Sequence, residues 1–299
     1  MSLVRETSSP QVGQGTAPTS ALMAPRLSLS SCVRSYITRS TVGASLRPDQ
    51  RHNHFPASPL CGICWILQGE SRLVRRGDDV VDEPVPAISF SGPHTVPCVS
   101  VNPGPVRAFM LGLLPQAFQA LTDIDIAAYV NRVVPIEAVC DVSWRAMVRA
   151  VQDAADDGAR VQVIEEFLEP RWSVLRHLAM PRTQRYRHWA EGLALKAGAS
   201  GAGKSLRQVE RRIKQWAGLP LRELRRMGRA EESFFLARDA HLSGSSGRGP
   251  DWAAIAVGSG YSDQAHLCRE VRRIAGMSPG ELNRAIDEDE SFWAYRIWS

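Results

Sequence analysis

Two hydrophobic textures follow one another along the chain. From about Ser45 to Val106, short apolar runs alternate with turn residues. Ile63 to Leu67 and Ala87 to Phe90 are such runs, and Pro48, Pro56, Gly69, Gly77, Pro84 and Pro97 are among the breaks. Proline and glycine at this density, between runs of strand length, predict a small all-β sandwich or barrel. Beyond it the apolar positions take up helical spacing, in Pro115 to Leu121, Val142 to Ala155 and Val161 to Leu168. Pro181 to His188 is polar and arginine-rich and is expected to be a linker. From Trp189 onward every segment is helical or connects helices. Met1 to Ser31 is rich in Ser, Thr, Pro and Gly without a sustained apolar core, so it does not resemble a secretory signal. It is expected to be a disordered tail or an over-long start of translation. The fold class is therefore α+β: a mostly β N-terminal part with following helices, and an all-α C-terminal part.

With 299 residues the chain is long enough for about two domains. No apolar run reaches the ~18 residues of a membrane span, and a cytoplasmic location with no membrane partner is expected. The six cysteines are scattered, which suits reduced thiols rather than a disulfide framework. Cys61 and Cys64 have the spacing of a metal or redox pair, but no second pair accompanies them. On a strand, residues three apart point to opposite faces, so two small buried side chains are expected there. The net charge of +5 is unevenly divided: Arg185 to Arg284 holds 18 Lys/Arg against 10 Asp/Glu, and the remainder holds 18 against 21. A basic module joined to one that is not suggests a polyanionic partner for the first, although a solvated basic face produces the same count.

An internal repeat refines this. Val209, Arg211, Ile213 and Gly218 recur as Leu267, Arg269, Val271 and Gly276, each displaced by 58 residues. Ser205 and Asp263 occupy matching places upstream, where a short side-chain oxygen can cap a helix N-terminus. The glycines fall where a helix ends. Each unit is thus a capped helix of about three turns with an apolar face. In the first unit Arg207 and Arg211 share another face, whose counterparts in the second are Ala265 and Arg269. Asp251 to Ala256 reads as a short capped helix, and Gly258 to Tyr261 as the turn that leads from it into the second unit. Helix, glycine-containing turn and arginine-bearing helix together suit a DNA major groove, where Arg donates to guanine O6 and N7.

The stretch from Gly260 to Val271, ending in Gly276-Met277-Ser278-Pro279, resembles the C-terminal signature of AraC/XylS-type transcription regulators. Ser205 to Gly218 is similar to the family's other helix-turn-helix, and the resemblance spans about residues 189 to 282. It implies two helix-turn-helix units joined by one long helix, here Leu221 to Asp239, that read adjacent major-groove segments of double-stranded DNA. By the same resemblance the base-reaching residues are Arg207, Glu210 and Arg211 in the first unit, and Gln264, Ala265, His266 and Arg269 in the second. Arg211 and Arg269 reach either bases or phosphates, Glu210 either DNA or a neighbouring arginine, and His266 either DNA or solvent. Two departures stand out: Gly198 to Lys204 lengthens the first turn, and Val271 stands where an aromatic residue is expected. His52 to Ala57, the run from Cys61 to Leu67 with Gly69, and Ser91 to Thr95 resemble the cupin-like sensor half of some such regulators.

The expected division is 1–44 disordered tail, 45–176 ligand-sensing or dimerisation domain, 177–188 linker, 189–284 DNA-binding domain and 285–299 C-terminal tail. A small-molecule effector, RNA polymerase and a second copy of the chain are the further partners this organisation implies. A second reading is a cupin-type metalloenzyme with an attached nucleic-acid-binding module, in which His52, His54 and His94 would bind metal. No glutamate completes a cupin metal pattern, and buried or turn histidines are favoured, so no metal or cofactor is assigned. Gly198 to Ser205 satisfies the P-loop pattern GxxxxGK[ST], but a helix-like run precedes it where a P-loop needs a strand. No catalytic residues can be nominated: serine elbow, paired carboxylates and zinc helix are all missing from the sequence, and the chain is read as a regulator rather than an enzyme.

Overall fold

The computed structural model describes residues 5–7, 16–175, 185–199, 205–242 and 249–297. Among the described residues, eleven strands form two antiparallel sheets. In chain order they are β1 (Arg5–Thr7), β2 (Thr19–Met23), β3 (Val33–Ser40), β4 (His52–Phe55), β5 (Cys61–Gln68), β6 (Arg72–Arg76), β7 (Asp79–Pro84), β8 (Ile88–Ser91), β9 (Cys98–Val101), β10 (Arg107–Leu113) and β11 (Val133–Pro135). The larger sheet runs β1-β2-β3-β10-β5-β8-β11 and the smaller β4-β9-β6-β7. Three helices follow, α1 (Pro115–Thr122), α2 (Val142–Asp153) and α3 (Asp157–Val174).

Alternation along the strands gives the larger sheet two different faces. Tyr36, Ile63, Trp65, Phe90, Phe109 and Leu111 are fully buried in a core with α1 to α3. There Phe90 stacks on Phe118 at 5.0 Å, Phe118 meets Trp144 edge-on at 5.3 Å, and Trp65 Nε1 donates to the Val148 carbonyl at 3.0 Å. The opposite face carries Ile37, Arg39, Cys64, Ile66 and Met110, which line a cavity of about 580 Å³ shared with Phe55, Leu73 and Cys98 of the smaller sheet.

The segment expected to be a disordered tail contributes β1, β2 and β3 to the larger sheet. β3 lies inside the larger sheet between β2 and β10, and Leu29, Cys32 and Tyr36 are fully buried. Arg26 Nε donates to Glu165 at 2.7 Å, Ser28 to Glu169 at 2.6 Å, and Trp172 Nε1 to Ser31 Oγ at 3.1 Å, which ties this segment to α3. Its Ser, Thr, Pro and Gly content suggested disorder. However, β-pairing joins backbone groups, and partners on β10 and α3 supply what local composition lacks.

The C-terminal helices are α4 (Tyr186–Ala199), α5 (Leu206–Ala217), α6 (Leu221–Leu242), α7 (Trp252–Gly258), α8 (Gln264–Ala275), α9 (Pro279–Glu288) and α10 (Trp293–Arg296). α4 begins three residues before Trp189 and takes in the end of the expected linker; residues 177–184 of that linker lie outside the described ones. A Cβ on Gly228 would lie 2.8 Å from the Arg187 backbone, so glycine is what lets α6 approach α4 so closely. Among the described residues no helix is long and apolar enough to cross a membrane.

The expected single domain at 189–284 is divided between two cores. Trp189, Leu193, Ile213, Ala217 and Leu224 belong to the same cluster as the helices of the β domain, and Trp189 Nε1 donates to buried Gln116 at 3.0 Å. Ile255, Tyr261, Leu267, Val271 and Leu282 form a separate, smaller cluster. α6, about 33 Å long at 1.5 Å per residue, spans both.

The expected tail at 285–299 is folded over its described residues, 285–297. α9 continues to Glu288, a short 3-10 turn (Glu290–Phe292) follows, and α10 packs on the β domain. Its aromatic residues find an apolar surface on strands more than 180 residues away, which no local pattern specifies.

Candidate nucleic-acid interface

Both units of the repeat fold as capped helices. Ser205 Oγ accepts from the Gln208 N–H at 3.3 Å and Asp263 Oδ1 from the His266 N–H at 2.7 Å. Gly218 and Gly276 close α5 and α8 at φ of 73° and 82°, a left-handed conformation that disfavours a side chain. Asp251 caps α7 by accepting from Ala253 and Ala254, and Gly260, at φ 82°, makes the turn toward α8. The expected order of helix, turn and second helix is therefore present at 252–275.

Each helix buries one stripe and offers another. Ile213 and Ala217 of α5 are buried, whereas Arg207, Glu210 and Arg211 are exposed. Leu267, Val271 and Ile274 of α8 are buried, whereas Gln264, Ala265 and Arg269 are exposed. Among the described residues, no carboxylate lies within ion-pair distance of Arg207, Arg211 or Arg269. Not every arginine nearby is free in this way. Arg273 NH2 meets Glu223 at 2.8 Å, Arg226 meets Glu223 at 3.1 Å and Glu270 at 3.2 Å, and both carboxylates are buried. This network fastens α8 to α6, and its arginines have a structural use that the sequence did not reveal.

Two of the residues singled out from sequence brace the protein. Glu210 Oε2 accepts from the Leu221 N–H at 3.3 Å at the start of α6. Neither the DNA contact nor the arginine pairing expected of it is needed to explain a carboxylate here, because the first N–H groups of a helix lack internal partners. His266 is half-buried, edge-on to Tyr261 at 5.2 Å, with Nδ1 3.1 Å from Ser262 Oγ. Hydrogen bonds from the His266 backbone and Ser262 hold the Asp263 carboxyl below its ordinary range, so the cap is charged at neutral pH. Val271 is buried and borders the large cavity. The P-loop match and the lengthened first turn fall mostly on residues 200–204, outside the described residues.

α5 also borders the β domain. Arg211, Lys214 and Gln215 line a cleft with Asp123 and Asp125, which follow α1. Gly218 packs on Ile126, and a Cβ there would lie 2.8 Å from an Ile126 methyl. The joint between β domain and helices holds Glu231 of α6, which accepts from the Tyr186 N–H at 2.6 Å and lies 3.4 Å from Arg34 of β3. Burial pushes this carboxyl up to about 7 against the pull of Arg34.

The β-domain histidines are dispersed. His52 Nδ1 lies 3.1 Å from the Asp49 carbonyl, His54 stacks on Phe292 at 4.2 Å, and His94 Nδ1 lies 3.4 Å from Cys98 Sγ. Burial lowers both His54 and His94 to about 4, leaving neutral rings at physiological pH. Among the described residues no group of three or more His, Cys, Asp and Glu is placed to hold a metal ion. Cys61 and Cys64 sit on β5, the first in the core and the second half-buried, and burial pushes both thiols upward.

No family model matches the chain, and no curated protein does. Among solved structures it is similar to ToxT from Vibrio cholerae, at 12% identity and a TM-score of 0.37 over 79% of this chain and 94% of that one. ToxT from Vibrio cholerae O395 bound to (E)-4-(8-methylnaphthalen-1-yl)but-3-enoic acid gives the same identity, TM-score and coverage. A cupin 2 conserved barrel domain protein from Rhodopseudomonas palustris aligns at 14% identity and a TM-score of 0.24, over 43% of this chain and 90% of that one.

Proposed function

We propose that the chain is a sequence-specific DNA-binding transcription regulator of the AraC/XylS type, controlled through its β domain by a small-molecule effector or by dimerisation. One observation carries the reading: two helices with the same cap, length and terminal glycine, 58 residues apart, are joined by one long helix and present unpaired, exposed arginines at matching positions. A helix of this form fits a major groove, and an exposed guanidinium can donate twice to guanine or pair with phosphate. Arg207, Arg211, Gln264, Ala265 and Arg269 are the residues assigned to DNA, and Glu210 and His266 hold the two helices in position beside it. RNA polymerase is a further partner in this reading.

The cavity between the sheets is the place for an effector. Its volume is in the small-molecule range, and its walls are largely apolar with a few polar groups, as binding sites for such molecules usually are. The test is selection of genome fragments by the purified full-length protein at two salt concentrations. Enrichment of a discrete sequence at the higher salt is expected. Binding that fades uniformly as salt rises, with no preferred sequence, would show phosphate attraction alone and overturn the reading.

A further inference from the structure

The two twelve-residue helices of the repeat are fixed to the β domain at their C-terminal ends. Gly218, which closes α5, lies against Ile126, where an added Cβ would come within 2.8 Å of a methyl group. Gly276, which closes α8, lies against Pro97 at a corresponding 3.6 Å, and the Ile274 carbonyl just before it accepts the Ala57 N–H at 2.8 Å. The opposite ends lie about 17 Å away at 1.5 Å per residue. There Leu206, Arg207 and Gln208 of α5 and Gln264 and Ala265 of α8 are exposed. Cα–Cβ bonds in a helix tilt toward its N-terminus, so the side chains of a first turn reach past the helix end. A surface approached from that end meets Leu206 in one unit and Gln264 in the other. Both are the first residue of their helix, 58 positions apart. Leu206 is 86% exposed, the most of any large apolar residue described, and it packs on neither core cluster of the helices. Ser205 already caps the helix, so its start is secured without an apolar neighbour. Exposure alone does not distinguish Leu206, since Val80 and Leu195 are exposed to a similar degree. Its place does: the outward end of an arginine-bearing helix, beside Arg207.

We propose that Leu206 is a further specificity-determining residue, which reads the 5-methyl group of a thymine in the major groove, and that Gln264 reads an adenine at the corresponding place in the other half-site. This rests on the reading of the chain as a DNA-binding regulator. A leucine side chain has neither donor nor acceptor. Facing the amino or carbonyl groups of a base edge, it would strip their water and return nothing. Of what the major groove displays, only the thymine methyl matches it. The Gln264 amide, in contrast, matches adenine N6 and N7 together. Arg211 and Arg269 make the two units alike one turn further along, so the half-sites share an arginine contact and differ at the pair that meets the first residue. That difference fixes which way round the chain lies on its site.

Deoxyuridine pairs as thymine does and lacks only the methyl group. Full-length protein is titrated by fluorescence anisotropy against the site obtained from the genome-fragment selection, with each thymine replaced in turn by deoxyuridine. At one position the replacement is expected to weaken binding of the unaltered protein about fourfold, the worth of one buried methyl. At that position Leu206→Ala is expected to bind the thymine and uracil duplexes equally, because its contact is already gone. Leu206→Gln is expected to reverse the preference there, favouring A·T over T·A at least fivefold. Leu206 is exposed, so both variants should melt with the unaltered protein. A uracil penalty that is the same in Leu206→Ala as in the unaltered protein at every thymine, or no penalty at any, overturns the assignment of Leu206 while the selected site, and the regulator reading with it, stands. A selection that yields no discrete site overturns the regulator reading itself, and the assignment falls with it.

Discussion

Two arginines one turn apart on α8 should respond to substitution in opposite ways. Arg269 is exposed and forms no ion pair with a described residue, so Arg269→Ala removes only a screened attraction to Asp263, and its effect on folding should stay within about 0.5 kcal/mol. On DNA the same change should cost about 1–3 kcal/mol, roughly 5- to 150-fold in affinity, if the guanidinium reads a guanine. If it meets a phosphate, affinity should fall on all sequences and the slope of log K against log salt should drop by about 0.9. Arg273 is pledged to Glu223 at 2.8 Å, and Glu223 is buried. Truncating one partner of a fully buried pair costs about 3–5 kcal/mol, but Arg226 remains beside Glu223 and Arg273 is about one-third exposed. Arg273→Ala should therefore destabilise the second unit by about 1–2 kcal/mol and leave the salt slope unchanged. Fluorescence anisotropy on a selected site and on a scrambled one, across a salt series, gives the first quantity, and urea unfolding gives the second. If Arg273→Ala lowers the salt slope as much as Arg269→Ala, or Arg269→Ala leaves both DNAs bound as before, the assignment of α8 to the groove fails.

Other outcomes follow from the same geometry. Asp123→Asn keeps a residue that tolerates the φ of 58° there and removes a negative charge beside α5. It should raise DNA affinity about two- to fivefold at low salt, an effect that anisotropy should show fading once salt shortens the screening length. Ser205→Ala and Asp263→Ala each remove a helix cap and should cost about 1 kcal/mol by denaturant titration; equal stability in both would refute the capping assignment. His54 and His94 are held neutral with their folded values lowered to about 4, so the unfolded chain binds more protons between that value and the ordinary one near 6.5. Their contribution is whole above about pH 6.5 and declines as pH falls toward 4, by on the order of 2 kcal/mol for His94 and less for the partly exposed His54. Thermal melting across that range should show the decline, and His94→Gln should flatten part of it. Gly228→Ala would push a methyl into the Arg187 backbone and should cost about 1–3 kcal/mol, seen as a lower melting temperature.

What could be read from the chain was what its neighbours in sequence enforce. The caps at Ser205, Asp251 and Asp263 and the glycines at 218 and 276 act within one or two helical turns, and α5, α7 and α8 begin and end where those residues stand. The strands from β4 to β9 were legible as a class because proline and glycine punctuate them. β2 and β3 were not, since β3 is held by pairing with β10 and the stretch between the two strands by α3, at separations of some 70 to 140 residues. Glu210 was legible as a charge beside the DNA face, but its hydrogen bond to Leu221 depends on how α5 turns into α6. The docking of the C-terminus did leave a trace. Phe292, Trp293 and Tyr295 crowd into four positions of a segment that was expected to be solvated, and aromatic residues at that density need an apolar surface to cover.

The unequal placement of the two helical units has a consequence for how the β domain can influence DNA binding. The first unit has no core of its own: Ile213, Ala217, Leu219 and Leu224 are buried in the same cluster as Phe118, Trp144 and Ile126. Moving α5 relative to α1 would open that cluster, so its arginines are carried by the β domain as a rigid attachment. The second unit keeps its own cluster and meets the rest through separable ties. These include the Glu223–Arg273 and Arg226–Glu270 pairs to α6, the Ala57 N–H donated to the Ile274 carbonyl at 2.8 Å, and the segment that carries Glu290 and Trp293. Two of these reach the barrel directly: the Ala57–Ile274 hydrogen bond, and the segment, whose Trp293, Ala294 and Ile297 pack as a small separate cluster on Leu22, Ile37 and Met110. On the reading proposed above, the spacing of α5 and α8 on DNA would be set from the second unit's side, and an event in the cavity would reach Arg269 through these ties. A double variant with Arg226 and Arg273 both replaced by Met should loosen this spacing. Its affinity for a two-half site is then expected to fall further than its affinity for a single half-site bound by α8, and equal losses on the two DNAs would refute this account of the coupling.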